Sequence, residues 1–106
     1  MEGAEPDSAE PAADASAASS RMLVITNQRG LHARAAARFV KCVERFEAEV
    51  TVAKKDAVVS GVSIMGLMML AAGPGTMIEV SATGRDARAV LDALEMLVRD
   101  KFGEDE

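Results

Sequence analysis

From residue 22 onward the apolar residues switch between a two-residue and a 3.6-residue period, and the order of the switches restricts the folds open to the chain. MLVIT (22–26) is a short β-branched run that reads as a strand, broken by Asn27 to Gly30. Ala36, Phe39, Val40 and Val43 fall at helical spacing and predict a helix from Ala33 to Phe46. EVTVAK (49–54) alternates as a strand does, Lys55-Asp56 turns the chain, and AVVSG (57–61) completes a hairpin. SIMGLMML (63–70) is too apolar for a surface strand and lacks β-branching after Ile64, so it reads as a short helix started by Ser63. AGPG (72–75) is a turn, and TMIEVSAT (76–83) alternates into a fourth strand that Gly84 ends. Asp86 then caps a helix whose Val90, Leu91, Leu94, Leu97, Val98 and Phe102 form one wide stripe.

The order β-α-β-β-α-β-α predicts an α+β fold. It is a two-layer open-faced sandwich with a four-stranded, mostly antiparallel sheet and three helices on one face. A ferredoxin-like domain shares the first six elements, so order alone leaves both folds open. The chain has 106 residues, enough for one domain with a small core. Aromatics are only 3%, with no Trp or Tyr, so that core is aliphatic and rich in Met.

The net charge of −5 is unevenly spread. MEGAEPDSAEPAADASAASS (1–20) holds five acids and no base, with almost nothing to bury. It reads as a disordered acidic Ala/Ser/Pro tail, with the folded domain spanning 21–106. Between that tail and the closing Glu104, Asp105 and Glu106 there are 12 bases against 9 acids, too slight an excess to argue for nucleic acid. Platforms for base stacking are also missing. No apolar run approaches a membrane span, and the start lacks the basic-then-apolar pattern of a signal peptide. One cysteine, Cys42, rules out an intrachain disulfide, and the expected setting is the cytoplasm.

His32 is the only histidine, and it stands at the start of the first helix. Unpaired N–H groups and a partial positive charge make such an end a site for anions. The same charge disfavours imidazolium, so the ring is expected to stay neutral and nucleophilic. If the ring accepted a phosphoryl group, the N–H groups of Ala33 to Ala35 could hold its oxygens, Arg34 could add a charge-assisted bond, and Gly30 would leave room for close approach. Arg34, Arg38, Lys41 and Arg45 form one basic stripe that runs back to His32. A solvated helix face explains the stripe equally well, and a helix-capping or surface histidine is the plain alternative for His32. One His and one Cys are too few for a metal site, and nothing implies a cofactor.

GLHAR (30–34) followed by AAARF (35–39), after the first strand, resembles the active-site segment of HPr, the histidine phosphocarrier family of the bacterial phosphotransferase system. SIMGLMMLAA (63–72) resembles the regulatory-serine segment of the same family, at the matching distance and on the matching helix. The likeness covers about residues 22 to 103. It implies that Enzyme I, charged from phosphoenolpyruvate, phosphorylates His32 on Nδ1. It further implies that the protein, acting as a monomer, passes the group to a histidine of an Enzyme IIA-type acceptor. Such a protein is a phosphoryl-transfer intermediate and not an enzyme. Arg34 matches the family arginine that holds the phosphoryl group and, with Arg38, faces acidic partners. The family usually has Pro where Ala35 stands; Ala keeps the helix and restores one N–H donor.

Spacing puts Leu67 and Leu70 on the core side of the second helix and Ile64, Met65 and Met68 on the other. A buried Met-rich helix is the alternative; the resemblance implies an exposed docking face, which flexible Met suits. Ser63 reads as a helix cap, and the resemblance adds a candidate site for an HPr kinase, although Val62 replaces the Lys often found before that serine. IEVSATG (78–84) and KFGEDE (101–106) look more like the nitrogen-related branch than the sugar-transport branch. Two other functions remain: a non-catalytic regulatory binding module that uses the Met-rich face with His32 silent, and a ferredoxin-like small-molecule sensor, for which no pocket motif is present.

Overall fold

A computed structural model describes residues 18–106. The acidic segment read as a tail lies outside the described residues except at its end, where the first strand already begins. In chain order the elements are β1 (Ser19–Val24), α1 (Ala33–Glu44), β2 (Glu49–Lys54), β3 (Ala57–Ser60), α2 (Ile64–Met69), β4 (Met77–Thr83) and α3 (Ala87–Arg99). A short 3-10 turn at Lys101–Gly103 follows. The sheet runs β1-β4-β2-β3, and every neighbouring pair is antiparallel. This is the α+β open-faced sandwich, and all-antiparallel pairing sharpens the expectation of a mostly antiparallel sheet.

Period-two alternation sorts the strands into two faces. Leu23, Val50, Val52, Ile78, Val80 and Ala82 turn toward the helices and are buried. Met22, Val24 and Met77 lie on the open side and are exposed. On α1, Ala35, Ala36, Phe39, Val40, Cys42 and Val43 are buried, while Arg34, Arg38, Lys41 and Arg45 face outward. Phe39, Phe102, Ile25, Leu67 and Ile78 are the bulkiest of the fully buried side chains. The Cys42 thiol is pushed up by burial, with Arg45 pulling the other way, so it stays a protonated apolar residue of the core.

Several boundaries move relative to the sequence reading. β1 covers Ser19–Val24 rather than 22–26. Ser19 and Ser20 pair with Ala82 and Ser81, and the hydroxyls of Ser20 and Ser81 bond at 2.8 Å. Cross-strand partners thus draw into the sheet two residues whose own hydropathy says nothing. α1 ends at Glu44, because the N–H groups of Arg45 and Phe46 bond back to Cys42 and Val43 in a tightened last turn. Asp86 occupies the N-cap of α3 without capping it; its Oδ2 accepts the backbone N–H of Glu47 at 2.8 Å and ties the two loops together.

Phe102 is buried as expected, but outside the helix. Lys101, Phe102 and Gly103 all have left-handed backbone, with φ of 57°, 56° and 79°. For a side chain with a Cβ this costs about 1–2 kcal/mol. Full burial of the Phe102 ring, worth about 2–3 kcal/mol, offsets it. The turn sends the last residues back toward the loop between β1 and α1.

Candidate functional site

The loop before α1 is folded around one buried amide. Asn27 is fully buried, and its Nδ2 donates to the Gly30 carbonyl at 2.8 Å and to Glu104 Oε1 at 3.1 Å. The Gly30 N–H donates to the Asn27 carbonyl at 3.1 Å and closes the turn. Asn27 Oδ1 is buried without a partner, which costs about 1–3 kcal/mol. Gly30 has φ +65°, and a Cβ there would collide with the Ala72 carbonyl and lie 2.9 Å from Gly73 Cα. The close approach that glycine permits is therefore to the loop after α2. The sequence reading gives Gly30 room for a phosphate, and the structure adds this close approach to the loop after α2.

His32 is the N-cap residue of α1 by backbone position only. Its φ of −74° and ψ of 178° are extended, its carbonyl accepts the Ala36 N–H at 2.9 Å, and its side chain caps nothing. The capping role that a histidine here could have played is thus absent. The N–H groups of Ala33, Arg34 and Ala35 precede the first intrahelical bond and point out of the helix end. No acidic side chain stands in the first turn to compete with an incoming anion for these N–H groups.

The ring is largely enclosed, its side chain 16% exposed, and its Nε2 bonds to Glu104 Oε2. Burial works against charge on Glu104, but the hydrogen bonds from Asn27 and His32 and the charges of His32 and Arg29 together hold its carboxyl below the ordinary range. An ionised carboxylate only accepts, so Nε2 carries the shared proton. In the neutral form of the imidazole, that leaves the free lone pair on Nδ1. Asn27 and Glu104 are the two site residues that sequence reasoning missed. Asn27 was read as a strand breaker, and the acids of KFGEDE were read for their likeness to one branch.

The two arginines assigned to the site part company. Arg34 is exposed and has no hydrogen bond or ion pair among the described residues. It lines a cleft of about 440 Å³ with Gln28, Arg29, Arg38 and Glu104. Arg38, expected among the residues that face partners, is exposed, and its Nη1 donates to the Phe102 carbonyl and pins the left-handed turn that delivers Glu104. A larger hollow of about 810 Å³ lies between α1 and α3, beside Cys42 and Leu97 and away from His32. Among the described residues no cluster of side chains could hold a metal.

The second expected site feature is α2. Leu67 and Leu70 are buried, while Ile64, Met65, Met68 and Met69 are 41%, 69%, 39% and 76% exposed. The helix is thus the exposed apolar face, and Met69, which spacing left open, belongs to it. Ser63 caps the helix, its Oγ accepting the Gly66 N–H at 2.9 Å. α2 packs beside α1, and Leu31 N–H donates to the Ala72 carbonyl at 3.0 Å, joining the histidine loop to the segment after α2.

A family model described as the PTS HPr component phosphorylation site matches residues 19–100. The phosphocarrier protein HPr of Neisseria meningitidis is 49% identical over 82 residues, covering 77% of this chain and 92% of that protein. The phosphocarrier protein NPr of Shewanella violacea is 42% identical, covering 79% and 92%. The crystal structure of HPr-C-His from Thermoanaerobacter tengcongensis superposes with a TM-score of 0.79 at 38% identity, covering 83% of this chain and 99% of that one. Sequence, fold and the placing of the single histidine agree: the chain belongs to the HPr family of the phosphotransferase system, phosphocarriers that hold a phosphohistidine intermediate and are not themselves catalysts.

Proposed function

We propose that His32 takes the phosphoryl group on Nδ1 from phosphorylated Enzyme I and passes it to a histidine of an Enzyme IIA-type acceptor. The family implies both classes of partner. The observation that carries the residue assignment is the division of labour on the ring: Glu104 occupies Nε2, and Nδ1 is left without a partner at the open N-terminus of α1. The N–H groups of Ala33, Arg34 and Ala35 and the Arg34 guanidinium supply donors for the phosphoryl oxygens. Transfer between two positioned nitrogens needs little more than alignment and charge.

The exposed Ile64, Met65, Met68 and Met69 face of α2 is the docking surface for these partners, with Arg34 meeting their acidic groups. Ser63 has a structural job as cap, and a kinase that phosphorylated it would place about two negative charges beside that apolar face and block docking. IEVSATG and KFGEDE support the nitrogen-related branch and a regulatory acceptor. The protein would work in the cytoplasm; no described helix is long and apolar enough to cross a membrane.

Incubation with Enzyme I and labelled phosphoenolpyruvate tests the assignment. An acid-labile label on the wild type that disappears in His32→Ala supports it; an unlabelled wild type overturns it. Offering the labelled protein to sugar-type and nitrogen-type acceptors then decides the branch.

A further inference from the structure

We infer that Asn27, Glu104 and His32 form a relay in which Glu104 is a positioning residue for phosphoryl transfer: it fixes the proton on Nε2, directs the lone pair to Nδ1, and balances the ring cation that transfer creates. The inference rests on the reading of His32 as the phosphoryl acceptor.

Three observations carry it. Glu104 uses one oxygen on the ring and the other on Asn27, so its carboxylate is held at both ends and is only 13% exposed. Asn27 donates both hydrogens of Nδ2, to Gly30 O and Glu104 Oε1, and neither of those groups can donate in return. Turning the amide over would lose both bonds, so its orientation is fixed by its partners. The cost of that orientation is Oδ1, buried with no partner. The third observation is the route by which Glu104 arrives. It lies 72 residues from His32, brought there by three successive left-handed residues whose middle carbonyl is held by Arg38. Hydrogen-bonded groups behind a reacting imidazole set its tautomer and orientation in many sites.

The chemistry balances without a further reactant. The Nδ1 lone pair forms the N–P bond while the donor's bond to phosphorus breaks and its electron pair returns to the donor atom. The proton on Nε2 stays in place, so the ring leaves this step as a cation beside the Glu104 anion. In onward transfer the N–P bond breaks, its pair returns to Nδ1, and the ring departs as neutral imidazole with its proton still on Nε2. One carboxylate thus serves both directions.

Glutamine is the informative substitution. Asn27 Nδ2 and His32 Nε2–H both need an acceptor, and a Gln amide has one oxygen. Its NH₂ must face either Asn27 Nδ2 or His32 Nε2, so one of the two bonds is lost and the preference for Nε2–H weakens. The experiment uses the full-length protein as wild type, Glu104→Gln and Glu104→Asp. Ring tautomer is read from ¹⁵N shifts of His32 at neutral pH, and single-turnover transfer is measured from phosphorylated Enzyme I. The expected result is an Nε2–H tautomer in the wild type, a weaker preference for it in Glu104→Gln with transfer slowed about tenfold or more, and partial recovery of both in Glu104→Asp. Wild-type rate and tautomer in Glu104→Gln overturn the relay while leaving His32 as acceptor. Slowed transfer with an unchanged tautomer and no rescue by Asp also overturns it, in favour of a merely structural role. A wild type that takes no label overturns the acceptor reading, and the relay with it.

Discussion

α1 and α2 lie side by side and solve opposite problems. α1 is twelve residues long, buries six of them, and presents at its N-terminus a ring whose far nitrogen is anchored through Glu104 to Asn27. α2 is six residues long, buries only Leu67 within its span, and exposes four large apolar side chains. The first surrounds one reacting atom with fixed polar partners, as group transfer demands. The second offers exposed, polarizable side chains, which under the proposed function fit differently shaped partners. The proposed function thus places chemistry on the helix with the anchored ring and recognition on the helix with the exposed apolar face.

The contrast breaks first where the rigid element is supported. Phe102→Ala should destabilise the fold by about 3–5 kcal/mol, because it empties a fully buried site and removes the gain that holds the left-handed turn. Urea denaturation reads this directly; a loss under about 1 kcal/mol would mean that the turn does not depend on the ring. Arg34→Glu should leave stability nearly unchanged and slow transfer about tenfold to a hundredfold, the worth of a hydrogen bond to a charged group. Unaltered single-turnover kinetics would remove Arg34 from the site.

The adaptable element is expected to respond in the reverse sense. Met65→Ser should weaken Enzyme I binding about tenfold while changing stability by less than about 0.5 kcal/mol. Titration calorimetry showing equal affinity would move the docking surface elsewhere. Ser63→Ala should cost about 1 kcal/mol by removing the cap on Gly66 N–H. Ser63→Asp keeps a good cap and adds charge, so it should retain stability and lose docking; identical behaviour of the two variants would contradict the separation of roles.

The smallest expected effect is a pH dependence. In the folded protein the Glu104 carboxyl lies below its ordinary value of 4.5. A carboxyl depressed on folding adds stability above its unfolded value and loses it as pH falls through the folded value. The stability gap between wild type and Glu104→Gln should therefore be full above about pH 5 and close on acidification below about pH 4. Urea midpoints at stepped pH check this, and a gap constant down to about pH 2 would disprove the sign.

Local pattern made most of the fold legible. The alternation of residues 49–54 matches β2, that of 76–83 matches β4 but for Thr76, and the spacing of Phe39, Val40 and Val43 matches the buried side of α1. Ser19 and Ser20 were not legible as strand, because their place in the sheet comes from Ser81 and Ala82 and not from their own hydropathy. GLHAR singles out His32 and Arg34, and the structure places both at the start of α1. Glu104 was hidden because nothing periodic links it to a ring 72 residues away, and the bend that brings it back uses backbone angles that Lys101 and Phe102 rarely adopt. A closing acidic run in a chain with one histidine was the available signal. The bond of Arg38 to the Phe102 carbonyl was hidden for a related reason: a stripe of cations shows a face, not which member has found a carbonyl.

The single bond from Leu31 N–H to the Ala72 carbonyl, with Gly30 packed on the same carbonyl, has a consequence for how such a surface can change. It joins main chain to main chain. The spacing between the ring and the face of α2 is then a gauge set by the backbone and indifferent to which side chains α2 displays. Exchanging the methionines there leaves the offset between the histidine and that face unchanged.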